Sequence, residues 1–165
     1  MGVVGLSTLS KPLIAIGLLV GVMNRKVQET KSLLEDAGYA YEVHEGWVDV
    51  GDVVKTIVFK QKATNEPFAV AVRKDDRVSY KKVRSLLGGG VSPLSPEELL
   101  ELGWVVGECC PLTINCSLYV DEEVAALEEV HTGSGDVEYG LSYALEALFA
   151  LRPDAQVVDA REEER

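Results

Sequence analysis

Lys55 sits inside the run Val53-Val54-Lys55-Thr56-Ile57-Val58-Phe59, whose β-branched and aromatic residues have the composition of a buried strand. A charged amine in such a run calls for a partner or a task. A second segment spaces Gly103, Gly107 and Pro111 four residues apart, as GxxxGxxxP. Glycines let backbone N–H groups approach a ligand closely, and proline fixes the loop that carries them. An amine and a glycine-lined loop together suit a substrate that bears a phosphate and an acyl carbonyl. Each also has a plainer role: Lys55 as an edge-strand lysine whose amine reaches solvent, Gly103 as the glycine that ends a helix. Cys109 and Cys110 lie in the same loop. No base is identifiable near them, so they read as small buried apolar residues and not as nucleophiles. With Cys116 they make no zinc site, because there is no CxxC pair and the chain has only two histidines. No metal or other cofactor is expected.

The elements that must hold these residues follow from local signals. Asn24 as an N-cap and Gly38 as a stop frame a helix over residues 24–37, with Val27, Leu33, Leu34 and Ala37 as its apolar face. Residues 39–43 alternate like a strand, and His44 falls at its end as a surface residue. Residues 52–60 and 68–73 read as two strands joined across Thr64-Asn65-Glu66-Pro67. A helix over 79–87 ends at three glycines, and Ser95-Pro96-Glu97-Glu98 is a capping box opening a short helix that stops at Gly103. Further strands are expected near 118–120 and 128–131. After the Gly133-Ser134-Gly135-Asp136 turn, residues 137–141 complete a hairpin, and a helix over 142–151 ends at Arg152-Pro153. This order predicts a single α+β domain, a mixed and largely antiparallel sheet flanked by helices.

At 165 residues the chain matches one domain, long enough to bury about two-thirds of the surface its unfolded form exposes. Residues 1–22 form an apolar extension; its stretch Pro12 to Met23 is too short for a bilayer, which needs about 20 residues, and lacks a signal-peptide cleavage site. The domain proper spans 23–160, and 161–165 is an acidic tail expected to fray. Three cysteines, two of them adjacent, are a poor disulfide framework and fit a reducing, cytoplasmic setting. The net charge of −11 argues against general nucleic-acid binding, and no DNA or membrane partner is expected. Its distribution is uneven: from Lys55 to Arg84 nine basic residues face three acidic ones, a local +6 that leaves −17 on the remainder. Such an island either meets a phosphate backbone at one place or is a solvated face of a hairpin and helix.

Taken in order, VVKTIVF, DDRVSYKKVRSLLG, SPEELLELGWVVGECCPL, LYVDEEVAAL and HTGSGDVEYGL resemble the YbaK family, which includes the editing insertion domain of bacterial prolyl-tRNA synthetase. The resemblance covers residues 24–159. It implies a deacylase acting on the acceptor end of mischarged tRNA, often tRNA for proline carrying a small amino acid such as cysteine or alanine, with a synthetase as a second partner. Lys55 would then pair with a phosphate of the terminal adenosine, and N–H groups around Gly103 and Gly107 would hold the ester carbonyl. The attacking group would be water or a group on the substrate itself. Pro111 would shape the loop, His131 would lie near the substrate amine, and Glu138 would either recognise an ammonium group or stay a solvated hairpin carboxylate. Two departures stand out. Only residues 45–51 connect the strand at Tyr41 to the lysine strand, where relatives carry a longer segment with a helix, so either the acyl pocket would be more open or Trp47 would replace part of its wall. Glu108, Cys109 and Cys110 replace small or apolar residues, and an acidic Glu108 disfavours a phosphate unless it points away. Two rival readings stand beside the deacylase: a non-catalytic module that binds tRNA ends or a synthetase, and a salt-insensitive hydrolase of another acyl nucleotide or ester.

Overall fold

The hairpin built around Lys55 is the spine of the structure, a computed structural model that describes residues 24–45 and 53–163. Strands β2 (Val54–Gln61) and β3 (Pro67–Arg73) pair antiparallel, Lys55 opposite Val72 and Phe59 opposite Phe68. The sheet extends on one side to β4 (Val91–Pro93), antiparallel to β2, and on the other to β5 (Ser117–Asp121) and β8 (Gln156–Val158), both joined in parallel. A second sheet runs β1 (Tyr41–Glu45), β7 (Tyr139–Ala144), β6 (Glu129–Gly133), all antiparallel. An isolated parallel bridge between Val53 and His131 ties the two sheets together at the start of β2.

Among the described residues five helices surround this framework: α1 (Arg25–Asp36), α2 (Tyr80–Leu87), α3 (Pro96–Glu101), α4 (Glu122–Ala125) and α5 (Leu145–Leu151). Their ends follow the chemistry of the sequence. Asn24 Oδ1 accepts from the Lys26 and Val27 N–H groups at 2.9 and 3.3 Å, and Ser79 caps α2, which ends at left-handed Gly88. The expected Ser95–Glu98 capping box opens α3, with both reciprocal bonds formed. Along α1 the buried face is Val27, Thr30, Lys31 and Leu34, whereas Leu33 and Ala37 are exposed. The expected apolar face is therefore rotated toward Thr30, whose hydroxyl satisfies itself on the Lys26 carbonyl at 2.9 Å.

Two apolar clusters fill the fold. The larger packs Val54, Val58, Ala69, Ala71, Leu118 and Val120 of one sheet against Val130, Leu141 and Tyr143 of the other, with Leu34 of α1 and Leu148 of α5. The smaller lies on the opposite face of the hairpin, where Phe59, Phe68, Val70 and Val72 meet Val78 and Val83. This is the expected mixed α+β arrangement. Three elements go beyond the reading of the sequence: β4, α4 and β8. Boundaries also shift: β1 covers 41–45 where 39–43 was expected, which places His44 within the strand, and residues 142–144, expected to be helical, complete β7 by pairing with β1 and β6. The tail is also better held than expected: buried Asp121 accepts from the Ala160 and Arg161 N–H groups at 2.8 and 3.1 Å, and Glu163 reaches Lys82 at 3.0 Å. No helix among the described residues is long and apolar enough to cross a membrane.

Candidate active site

The two sheets diverge beyond the Val53–His131 bridge and leave a cavity of about 490 Å³ in the notch. Its wall is the edge of β2 from Val53 to Val58, together with Lys74, Leu94, Leu99, Val106, Gly107, Cys109 and Gly133. Beyond the bridge, β2 has no strand partner on this side among the described residues until Phe59 meets Pro93 of β4. Alternation then sorts the site. Val54 and Val58 belong to the larger apolar cluster, so Thr56 between them turns its side chain to the same, deeper side. Lys55 and Ile57 project from the other face, where Ile57 packs on the smaller cluster. Thr56 Oγ1 is buried and has no hydrogen-bond partner among the described residues. The Val58 carbonyl accepts from Leu94 N–H at 3.0 Å on the β4 side. By the same alternation the Thr56 backbone N–H and C=O also face the cavity. The result is an apolar recess, a polar strand edge, and two lysines on the wall.

The loop over this notch is built by the second motif. Helix α3 ends at Leu102, and Gly103 (φ +90°) carries the chain out of it. Trp104 is buried, its indole N–H donating to Asn115 Oδ1 at 3.3 Å and its face covered by Lys26 Nζ at 4.0 Å. Glu108 N–H bonds the Val105 carbonyl at 3.1 Å, and Gly107 has φ +85°, which makes Val105–Glu108 a type II turn. Its central N–H groups, on Val106 and Gly107, have no backbone partner among the described residues. Two contacts pin the turn to the second sheet. Gly135 N–H donates to the Glu108 carbonyl at 2.8 Å, and Gly133 approaches so closely that a Cβ there would lie 2.7 Å from the Cys109 carbonyl oxygen. Behind the turn, buried Arg152 donates to the carbonyls of Pro111 (2.9 Å), Ile114 (2.8 Å) and Cys116 (2.6 Å) and is itself paired with Asp154.

The structure thus brings Lys55 and Gly107 to one cavity and leaves other expected residues off its wall. Gly103 is one: its N–H donates to the Leu100 carbonyl at 2.8 Å, so it is the helix-terminating glycine and not an oxyanion donor. Pro111 is buried behind the turn, where its carbonyl serves Arg152. His131 shares the face of Lys55 through its bridge to Val53, but its Nδ1 is hydrogen-bonded to Ser142 Oγ, which also bonds His44 Nε2 at 2.6 Å. His44 is therefore tied to its neighbours across the sheet. Glu138 is an exposed turn residue. Trp47 lies outside the described residues. Sequence reasoning missed Lys74, Thr56 and Gly133; for Thr56 the signal was its alternation with the lysine.

Electrostatics remove two side chains from the chemistry. Burial, and then the neighbouring Cys116, Cys110 and Glu108, push the Cys109 thiol up to about 12, so it stays protonated at neutral pH. Glu108 is absent from the wall. It is 8% exposed, and burial together with the charge of Asp136 raises its carboxyl above the ordinary glutamate range. It therefore leaves the phosphate side clear. Among the described residues that line the cavity, Lys55 and Lys74 are the charged ones.

The family model for the aminoacyl-tRNA editing domain matches residues 28–151, a span that contains the whole wall. The chain belongs to the aminoacyl-tRNA editing domain family. The fold of this editing domain agrees with solved structures. One, described as a candidate trans-editing enzyme for prolyl-tRNA synthetase, is 25% identical with a TM-score of 0.71, over 86% of this chain and 99% of that one. The hypothetical protein APE2540 is 22% identical, with a TM-score of 0.71 over 84% of this chain and 100% of its own. A scaffold used for epitope backbone grafting by computational design is 21% identical, with a TM-score of 0.72 over 86% of this chain and 100% of its own. No curated protein matches the chain in sequence.

Proposed function

We propose that this editing domain is a trans-acting, cytoplasmic aminoacyl-tRNA deacylase that hydrolyses the ester of a mischarged tRNA. The observation that carries the reading is a cavity whose charged lining residues, among those described, are two lysines, set against an apolar recess and two turn N–H groups without a backbone partner among the described residues. An aminoacylated 3′ end has the matching parts: a phosphate for Lys55, an ester carbonyl for the N–H groups of Val106 and Gly107, and a side chain for the recess. The recess of Val54, Val58, Leu94 and Leu99 suits a small, uncharged side chain such as that of alanine or cysteine. The likeness to a candidate trans-editing enzyme for prolyl-tRNA synthetase supports tRNA for proline as the carrier, with that synthetase as a possible second partner.

No thiolate nucleophile is available at neutral pH, so the attacking oxygen comes from water or from the vicinal ribose hydroxyl of the substrate. Attack on the ester carbonyl places negative charge on its oxygen, and backbone N–H groups aimed at that position stabilise the developing charge. When water attacks, collapse expels the ribose oxygen, which takes up the water's proton, and the products are the free amino acid and uncharged tRNA. When the vicinal hydroxyl attacks, the acyl group moves to that oxygen, and a water must then cleave the new ester. Lys55 fixes the phosphate and thereby holds the ester against the turn; positioning is the main contribution of the protein. An ester is already activated, which keeps the demand on side-chain chemistry small.

A deacylation time course tests this, using tRNA(Pro) charged separately with proline, alanine and cysteine. Loss of alanine or cysteine but not proline, at least a hundredfold slower in Lys55→Ala, is the expected result. A folded wild-type protein that binds these tRNAs and turns over none of them would establish the non-catalytic binding module instead.

A further inference from the structure

The basic stretch from Lys55 to Arg84 is partly neutralised within the fold. Lys60 pairs with Glu98, Arg73 with Asp76 and Glu123, and Lys82 with Asp159 and Glu163. Lys55 and Lys74 are different. Neither has a carboxylate partner among the described residues, and both line the cavity, with no Asp or Glu among the described residues of its wall. Their relative placement is fixed by the hairpin. Lys55 is opposite Val72 and Val54 opposite Arg73, while Lys74 N–H donates to the Val53 carbonyl at 2.8 Å. Lys74 therefore extends the ladder opposite Val53, and residues paired across a ladder share a face. The two lysines are diagonal neighbours on that face, their backbones about 7–8 Å apart across the ladder. Two like charges held on one face of a ladder repel each other, and an anion between them relieves the repulsion. The backbone of Lys74 is fixed by the Val53 bond and by a turn in which Asp76 N–H bonds the Arg73 carbonyl at 3.0 Å. Its exposed side chain is left to reach a ligand.

We infer that Lys74 is a second phosphate-binding residue, and that the ligand is the phosphodiester-linked 3′ end of an RNA strand and not a free aminoacyl nucleoside. This rests on the functional reading above for the identity of the strand, and on the cavity alone for the phosphate. Lys55 and Lys74 together grip the backbone immediately 5′ of the acylated nucleotide, while the turn of Val105–Glu108 faces the ester. The acyl group is then read in the recess and the polynucleotide at the mouth, by different residues.

The test measures binding of a fluorescent RNA hexanucleotide ending in CCA across a salt series, using the full chain. Wild type, Lys74→Ala, Lys74→Arg and Lys81→Ala are compared, with circular dichroism confirming the fold of each. Lys81 is a basic residue of α2 outside this cavity and serves as the control. The slope of log affinity against log salt should fall by about 0.7 in Lys74→Ala, the value for one lost contact to a single strand. Affinity at low salt should drop about tenfold, as for one charge-assisted hydrogen bond. Lys74→Arg and Lys81→Ala should keep the wild-type slope. An unchanged slope in Lys74→Ala, an equal loss in Lys81→Ala, or no binding by the wild type would each overturn the inference. Deacylation of alanyl-tRNA(Pro) by the same proteins separates the two ideas. Binding with the expected slope change but no turnover sinks the deacylase reading and leaves Lys74 in place; turnover with an unchanged slope does the reverse.

Discussion

Gly133→Ala probes the joint on which the site depends. A Cβ at this position would meet the Cys109 carbonyl oxygen at 2.7 Å and the Glu108 carbonyl carbon and oxygen at 2.9 Å. These are backbone atoms of the segment that carries Gly107, so no side chain can rotate away. Ordinary contact requires about 3.4 Å, so the turn must retreat by about 0.5–0.7 Å, a degree of overpacking that typically costs about 1–3 kcal/mol. The retreat also stretches the 2.8 Å bond from Gly135 N–H to the Glu108 carbonyl. For a chain of this length, about 2 kcal/mol lowers the thermal midpoint by roughly 4–8 °C. A misplacement of about 1 Å can slow a positioned reaction about a hundredfold, so a shift of half that size should slow deacylation about tenfold. The assay is a thermal melt paired with single-turnover deacylation, and Gly89→Ala is the control, since a Cβ there meets nothing within 4 Å. If Gly133→Ala melts and turns over like Gly89→Ala, the tight seating of the turn on β6 is refuted.

Two further expectations concern groups to which the proposed chemistry gives no part. Glu108→Gln should stabilise the fold at neutral pH: the raised carboxyl of Glu108 means the native state binds its proton more tightly than the unfolded chain does, so wild-type stability falls as pH rises above about 4, and the gap between the two proteins should open there and close below it. Urea unfolding at several pH values reads this, and a gap independent of pH would remove Asp136 and burial as its cause. Cys109, with its thiol held near 12, should resist alkylation by iodoacetamide at pH 8 in the native protein and react once unfolded, as peptide mass mapping would show. Rapid native labelling would reopen thiol chemistry.

The parts of the fold that were legible in the sequence are those set by a few neighbouring residues. Asn24, Ser79 and Ser95 each cap the helix their chemistry announces, and the β2–β3 hairpin lies where β-branched residues flank a turn. Misreadings arose where distant partners decide. Residues 142–144 have neighbours typical of a helix, yet pairing of Ser142 with both Glu42 and His131 keeps them extended, and α5 begins without a side-chain cap. Strands β4 and β8 have three residues each and exist through their pairing. The same distinction divides the site. Lys55 and Gly107 announce themselves by residue type and local conformation. Lys74 looks like any turn lysine until the register places it beside Lys55, and Gly133 is demanded by a loop more than twenty residues away in sequence.

The guanidinium of Arg152 has a consequence for how the protein comes into being. It holds the carbonyls of Pro111, Ile114 and Cys116 from positions 41, 38 and 36 residues further along the chain. During synthesis the glycine turn is made early, but the clamp behind it is made only after β5, both strands of the second hairpin and α5 have emerged. Until then the carbonyls of that loop depend on solvent, and the nascent chain has its lysines without a completed lid. A chain ending before Arg152 should thus keep the lysines of the β2–β3 hairpin and lose the clamp behind the turn, and on the proposed reading it would attract RNA without deacylating it.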